Sequence, residues 1–321
     1  MEPQDDVDAY GTVRPTPTYH QIQYAVSQGV ARLTLNRPPA NVLSIEMMGE
    51  INSVLESMEY QKDIKVVVLS ATGKYFSPGF ELSDHLGDRG YLMLEGFRRI
   101  FENMARIDKP LLAVVAGPAL GAGSMLAAGC DLVYAAATAA KFGHPEIKGG
   151  VFNPVAAALL PRLVGRKKAA ELLFTGVGLT ATDAERIGLI TRAVPDDKLD
   201  AEVAALIQRI QEQSAVVLQL TRRALAGGAD LLLPDAFRHA EDVYLNQLMG
   251  TEDAEEGLKA VMENDPRTRN YFVFDAVVAA VASPVAKALW DKGKCKSPAD
   301  KSRPAPGPAP IGELLLTIDF N

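Results

Sequence analysis

The sequence predicts an α/β protein, built on a parallel, helix-covered sheet and finished by an α-rich C-terminal third. Three observations carry this. Short, mostly apolar runs, Val66-Val67-Val68-Leu69-Ser70 and Leu111-Leu112-Ala113-Val114-Val115, have the length and composition of buried strands. Stretches with helical spacing separate them, and alternation of this kind favours right-handed crossovers and a parallel sheet. After Asp183 the apolar residues recur at helical spacing with little strand signal.

In chain order, residues 1–18 are polar, carry Pro15 and Pro17, and read as a flexible lead-in. From Tyr24 the alternation through Val30, Arg32, Leu33, Thr34 and Leu35 predicts strand. The Asn36-Arg37-Pro38-Pro39 break then leads into a helix through Ile45, Met48, Ile51 and Leu55. Further helices are expected over roughly 91–107, from Gly121 to Ala128, and from Ala169 to Phe174, the last stopped by Gly176. Leu132-Val133-Tyr134-Ala135 is a further strand. Helices are expected over 200–213, 214–226, 233–249 and 251–265. The expected organisation is therefore a lead-in (1–18), an α/β core (19–198), a helical region (199–265), an additional apolar helical segment (266–291) and a Pro- and Lys-rich tail (292–321).

Composition narrows the function. Of the 321 residues, 48% are hydrophobic and 23% charged, which suits a folded globular chain rather than a disordered one. The net charge of −7 comes with scattered Lys and Arg, so no basic face for nucleic acid is expected. Two cysteines give neither a disulfide framework nor a zinc site, and no metal is expected. No apolar run is long enough to span a membrane and the N-terminus lacks signal-peptide character, so the expectation is a cytoplasmic protein that binds neither nucleic acid nor membrane.

Three segments carry chemistry. Lys74-Tyr75-Phe76-Ser77-Pro78-Gly79-Phe80-Glu81-Leu82 follows a strand, and its glycine lets the chain turn and leave the next N–H unpaired. Ala119-Leu120-Gly121-Ala122-Gly123-Ser124-Met125-Leu126 follows another strand and opens a helix, where free N–H groups attract developing negative charge. Taken alone, each reads more readily as an ordinary glycine turn or as close helix-to-strand packing. The third is Phe142-Gly143-His144-Pro145-Glu146-Ile147, in which Glu146 sits in a largely apolar run suited to a proton carrier.

As a set, in this order and spacing, the three segments resemble the enoyl-CoA hydratase/isomerase (crotonase) superfamily. The likeness runs from about Tyr24 to about Glu263. It takes in Asn36-Arg37-Pro38 with Asn41-Val42-Leu43, Cys130-Asp131-Leu132, Leu160-Pro161-Arg162-Leu163-Val164-Gly165 and Ala184-Glu185-Arg186-Ile187-Gly188-Leu189-Ile190. The resemblance implies a crotonase-like spiral of ββα units with an α-helical C-terminal trimerisation region, assembling as a homotrimer or dimer of trimers. It implies an acyl-CoA thioester substrate and no cofactor beyond the coenzyme A that the substrate carries. On this mapping the N–H groups of Phe80 and Ala122 form an oxyanion hole, and Glu146 is the general acid or base. The resemblance further implies that Ala40, Gly79, Glu81, Leu82, Gly121, Met125 and His144 contact the substrate.

The sequence departs from the familiar hydratases at one place. They carry two glutamates, and Met125 stands where the first is expected, which leaves Glu146 as the matching carboxylate. Asp84, His85 or a substrate-ordered water chain are then the candidates for orienting a water. The stretches Asn41–Met48, Glu146–Phe152, and Tyr244–Met249 with Thr251-Glu252-Asp253-Ala254, look similar to hydratases of cyclic dienoyl-CoA thioesters. Hydration is the first expectation, with double-bond isomerisation by Glu146 alone as the alternative and a catalytically inactive binding subunit as a rival from another class. His20 and His239 have no companions and receive no role.

Overall fold

The computed structural model describes residues 18–262. The expected segments 266–291 and 292–321, and residues 1–17 of the lead-in, lie outside the described residues. Chain contacts divide the molecule into units of 1–255 and 256–321, and the framework of the site belongs to the first.

The chain opens with strands β1 (Ile22–Ser27) and β2 (Val30–Leu35), helix α1 (Ile45–Met58), strand β3 (Val66–Ala71), helix α2 (Arg89–Arg106) and strand β4 (Leu111–Val115). Next come β5 (Ala119–Leu120), α3 (Ala122–Ala128), β6 (Leu132–Ala136), β7 (Lys141–Gly143), α4 (Pro154–Val164) and α5 (Arg166–Thr175). The rest of the described chain is β8 (Gly178–Thr180), α6 (Ala181–Arg186), β9 (Arg192–Val194), α7 (Leu199–Gln211), α8 (Ala215–Gly228), α9 (Leu233–Asp242) and α10 (Glu252–Met262).

A six-stranded sheet has the order β1-β2-β3-β4-β6-β9, and a three-stranded sheet the order β5-β7-β8. From β4 onward, successive stretches of chain alternate between the two sheets, so the backbone winds between layers as a spiral. The sheet is parallel from β2 to β9, as the sequence predicts, but β1 and β2 form an antiparallel hairpin. Its two-residue turn, Gln28-Gly29, takes the positive φ values of 51° and 74° that such hairpins require. Two differences from the sequence expectation share one cause. Strand β9 and the small sheet consist of strands of two or three residues, too short for an alternation to register. A third difference has another cause: the helix expected over 233–249 is α9 followed by a π-helical segment, Val243–Leu248, and one such wider turn shifts the apolar spacing too little to interrupt a helical pattern in the sequence.

Helix α1 illustrates how pattern becomes packing. Met47, Met48, Ile51, Val54, Leu55 and Met58 are all buried, while Ser44 caps the helix by accepting from the Met47 N–H at 3.1 Å. Its buried face meets α2, whose Met93, Phe97, Ile100 and Met104 are also buried. Helix α8 is locked to the core by Arg222. This side chain is only 6% exposed and donates to the carbonyls of Met104 and Ile107 and to Asp131 Oδ2. Asp131 also accepts from the Leu111 N–H at 2.7 Å, which gives the Cys130-Asp131-Leu132 motif a structural purpose. No helix among the described residues is long and apolar enough to cross a membrane.

Candidate active site

The site forms beyond the C-terminal ends of β3, β4 and β6, the position that open parallel sheets favour for ligands. The loop leaving β3 is held from outside by Asn41. This buried residue adopts φ 57°, accepts from the Arg37 N–H at 2.8 Å, and donates to the carbonyls of Thr72 and Tyr75, each at 2.8 Å. A bridge between Leu43 and Phe80 continues the anchorage: Leu43 N–H donates to Gly79 O at 2.8 Å and Glu81 N–H to Leu43 O at 2.9 Å. Gly79 N–H donates to Ser77 Oγ at 3.2 Å, so the N–H groups on either side of Phe80 are both engaged. That of Phe80 meets no acceptor among the described residues.

Gly79 has φ 113°, and a Cβ there would lie 3.3 Å from Leu120 O and 3.4 Å from Ala122 N. The backbone of the first loop therefore rests directly against the start of α3. Gly121 N–H donates to Gly143 O and Met125 N–H to Gly121 O, while the N–H of Ala122, the first residue of the helix, finds no acceptor among the described residues. Gly123 allows the helix to pack this closely, since a Cβ there would stand 2.3 Å from Ser77 O.

Glu146 comes from the other side. After β7 the chain enters a single 3₁₀ turn, Pro145–Gly149, with the proline at its start and Gly150 in the left-handed region at its end. The carboxylate reaches over Gly121, where a Cβ would lie 2.5 Å from Oε1 and 2.9 Å from Cδ. With φ 55° as well, Gly121 has two independent reasons to be glycine. Both carboxylate oxygens are buried and have no hydrogen-bond partner among the described residues. The free Ala122 N–H is thus one residue from the glycine that the carboxylate covers.

A cavity of about 370 Å³ joins these parts, with Pro78, Gly79, Phe80, Leu82 and His85 on one wall and Pro145, Glu146, Gly149 and Val151 on the other. A second cavity of about 470 Å³ shares Phe80, His85 and Val151 with it and continues between Tyr91, Met93 and Leu94 and Phe152 and Pro154. The two form one apolar cleft. Phe80 meets His85 edge-on at 5.8 Å and Phe97 at 4.8 Å, so the cleft wall is continuous with the core.

Of the residues expected at the site, Gly79, Phe80, Leu82 and Glu146 line the cleft, and Gly121 and Ala122 lie against its carboxylate and its glycine wall. Glu81 turns away to pair with Arg37 at 2.9 Å. Ala40 is half-buried next to Asn41 and does not line either cavity. Met125 is wholly buried in the hydrophobic core and is not part of the cavity lining. His144 is 2% exposed, with Nδ1 3.8 Å from Glu146 Oε1. Asp84, a candidate for orienting water, is ruled out of that task by its partners. It is fully buried, accepts from the Ile45 N–H at 3.0 Å and from Arg89 Nε at 2.8 Å, and so is committed to structure. His85 does line the cleft. Sequence reasoning gave Asn41 no role, although an Asn after a Pro-Pro pair is a usable signal for left-handed backbone. It also missed Asn153, which caps α4 by accepting from the N–H groups of Val155 and Ala156. Burial pushes the Cys130 thiol upward in pKa, which marks it as an inert core residue.

The enoyl-CoA hydratase/isomerase family matches residues 25–269. A probable enoyl-CoA hydratase of Mycobacterium bovis is 33% identical over 250 residues, 77% of this chain and 96% of that protein. A cyclohexa-1,5-dienecarbonyl-CoA hydratase of Thauera aromatica is 34% identical over 232 residues, 72% of this chain and 89% of that one. Among solved structures, an enoyl-CoA hydratase of Mycobacterium smegmatis superposes with a TM-score of 0.72 at 30% identity, covering 77% of this chain and 97% of that chain.

Proposed function

The chain belongs to the enoyl-CoA hydratase/isomerase family, and on that premise we propose that it adds water to an enoyl-CoA or cyclic dienoyl-CoA thioester, with Glu146 as general acid and base. The observation that carries this is the unpartnered Glu146 carboxylate lying over Gly121, beside an N–H with no acceptor. The thioester oxygen sits between the N–H groups of Phe80 and Ala122. As water attacks the β-carbon, Glu146 takes its proton, and negative charge moves onto the thioester oxygen. There the two donors stabilise it, each contributing about 3 to 4 kcal/mol. Glu146, now protonated, returns the proton to the α-carbon, so that H and OH are both added and the carboxylate is regenerated. The adjoining apolar cleft accepts the acyl group, and its aromatic wall of Phe80, Tyr91 and Phe152 suits a flat, unsaturated one.

A second reading has its own support. With Asp84 committed to structure and Met125 in the core, Glu146 is the carboxylate that lines the cavity. One carboxylate above an oxyanion hole suffices to remove a proton from one carbon and return it two carbons away, which isomerises a double bond. Mass spectrometry of the products from a panel of linear and cyclic enoyl-CoA thioesters separates the two. A gain of one water is expected, whereas an unchanged mass with a displaced double bond would establish the isomerase. No turnover of any member, with Glu146→Gln indistinguishable from wild type, would leave an inactive binding subunit.

Self-association as a homotrimer or dimer of trimers is part of the same proposal. Leu225, Leu232 and Phe237 on and between α8 and α9 are 68%, 78% and 59% exposed, an apolar surface suited to burial between copies. Light scattering after gel filtration measures the assembly.

A further inference from the structure

The geometry points to His144 as a positioning residue for Glu146: its Nδ1–H fixes carboxylate oxygen Oε1, leaving Oε2 to carry the proton. This rests on Glu146 being the proton carrier proposed above. His144 is 2% exposed and neither ring nitrogen has a hydrogen-bond partner among the described residues. A neutral imidazole carries one N–H donor and a protonated one carries two, so at least one buried donor goes unpaired, which is unfavourable until an acceptor reaches it. An acceptor with the same deficit is adjacent: Oε1 of Glu146 is also buried and unpartnered, 3.8 Å from Nδ1. The pair lies beyond hydrogen-bond length, and catalytic hydrogen bonds are often long in the free enzyme and tighten around the substrate.

The two carboxylate oxygens are not equivalent. Oε1 packs into the notch left by Gly121, 2.5 Å from where a Cβ would stand, while Oε2 is 3.4 Å from that point. Oε1 is thus held between the glycine and the imidazole. Once Nδ1–H donates to it, the carboxylate can no longer rotate about its last bond, and Oε2 faces the substrate in one orientation. A glutamate has three side-chain torsions to fix, and its backbone turn alone fixes none of them. Burial of an imidazole beside it, two residues earlier in the chain, supplies the missing restraint without adding a second acid to the cavity.

The test compares His144→Asn, whose amide nitrogen takes the place of Nδ1, with His144→Gln, whose amide reaches only the place of Nε2, and with His144→Leu, which has no donor. The substrate is whichever enoyl-CoA the wild type converts. Leu and Gln are expected to lower kcat by about ten- to a hundredfold with KM unchanged, the size of effect that an ångström of misplacement produces. Asn is expected to restore most of the rate. In a Glu146→Asp background, where the shorter arm is out of reach, adding His144→Leu should cost nothing further. Equal rates for wild type and all three variants, a loss expressed in KM alone, or the same loss in the Glu146→Asp background would overturn the role of His144. Should His144→Leu not fold, the Asn and Gln pair decides by the same criteria. An unimpaired Glu146→Gln enzyme would overturn the proposed function and this inference together. An inactive Glu146→Gln with an unimpaired His144→Leu would overturn this inference alone.

Discussion

Two short 3₁₀ turns face each other across the cleft, and each bears a buried carboxylate. In Leu82–His85, the oxygens of Asp84 accept three hydrogen bonds, one from the Ile45 N–H at the start of α1 and two from the Arg89 guanidinium. In Pro145–Gly149, the oxygens of Glu146 accept none. The first carboxylate ties a loop to two helices. The second is kept out of contact with every donor of the described fold except a histidine slightly too far away. A buried acid with all its valences met is a structural part. A buried acid with none met is costly to keep unless something else pairs with it during the work of the protein. The same division extends further: among the described residues, buried side-chain atoms without partners fall on Ser124, His144, Glu146 and Asn153, all within segments that build the site.

Substitutions that exchange these two fates should break the comparison if it is wrong. The largest effect is expected for Glu146→Gln, which conserves shape and deletes the proton carrier. Turnover should fall by about a hundred- to ten-thousandfold, the range spanned by general acid–base catalysis. The melting temperature should stay near that of wild type. Gly121→Ala should follow, because its methyl group would occupy the space of Oε1 and its backbone would be strained at φ 55°. Displacing the carboxylate by about an ångström should cost about a hundredfold in kcat, measured on the same substrate. For Asp84→Asn the damage should appear in stability, by about 2 to 3 kcal/mol for weakened bonds to a charged acceptor, read from urea unfolding. Its turnover per folded molecule should be that of wild type. A selective loss of turnover there would place Asp84 in the chemistry after all. The smallest effect is expected for Glu81→Gln, which breaks a half-exposed pair with Arg37 and should cost less than about 1 kcal/mol, diminishing further in high salt.

The difference between these turns bears on what a sequence discloses. Both carry a carboxylate that the sequence offered as a candidate, and nothing in Leu82-Ser83-Asp84-His85 says that Asp84 points inward to Ile45 and Arg89. Those partners are settled by how α1 and α2 pack. Local signals were readable: the apolar runs of β3 and β4, the periodicity of α1 and α2, and the glycines at 79 and 121, each marking a sharp turn after a strand. Long-range ones were not. Asn41 earns its place through Thr72 and Tyr75, more than thirty residues on. Met125 occupies a position from which the familiar hydratases act, yet here its side chain is enclosed by the core. The three-residue strands were lost because two alternations cannot be told from chance.

The two proposed donors belong to the main chain, so no substitution at Phe80 or Ala122 other than proline can remove them. The residues that can are their predecessors, Gly79 and Gly121, where any side chain would meet Ala122 N or the Glu146 carboxylate. Heritable loss of activity in this protein should therefore accumulate one position before the groups that do the chemistry. A survey of variants that scored only the residues bearing the two donors would overlook the positions that set where those donors point.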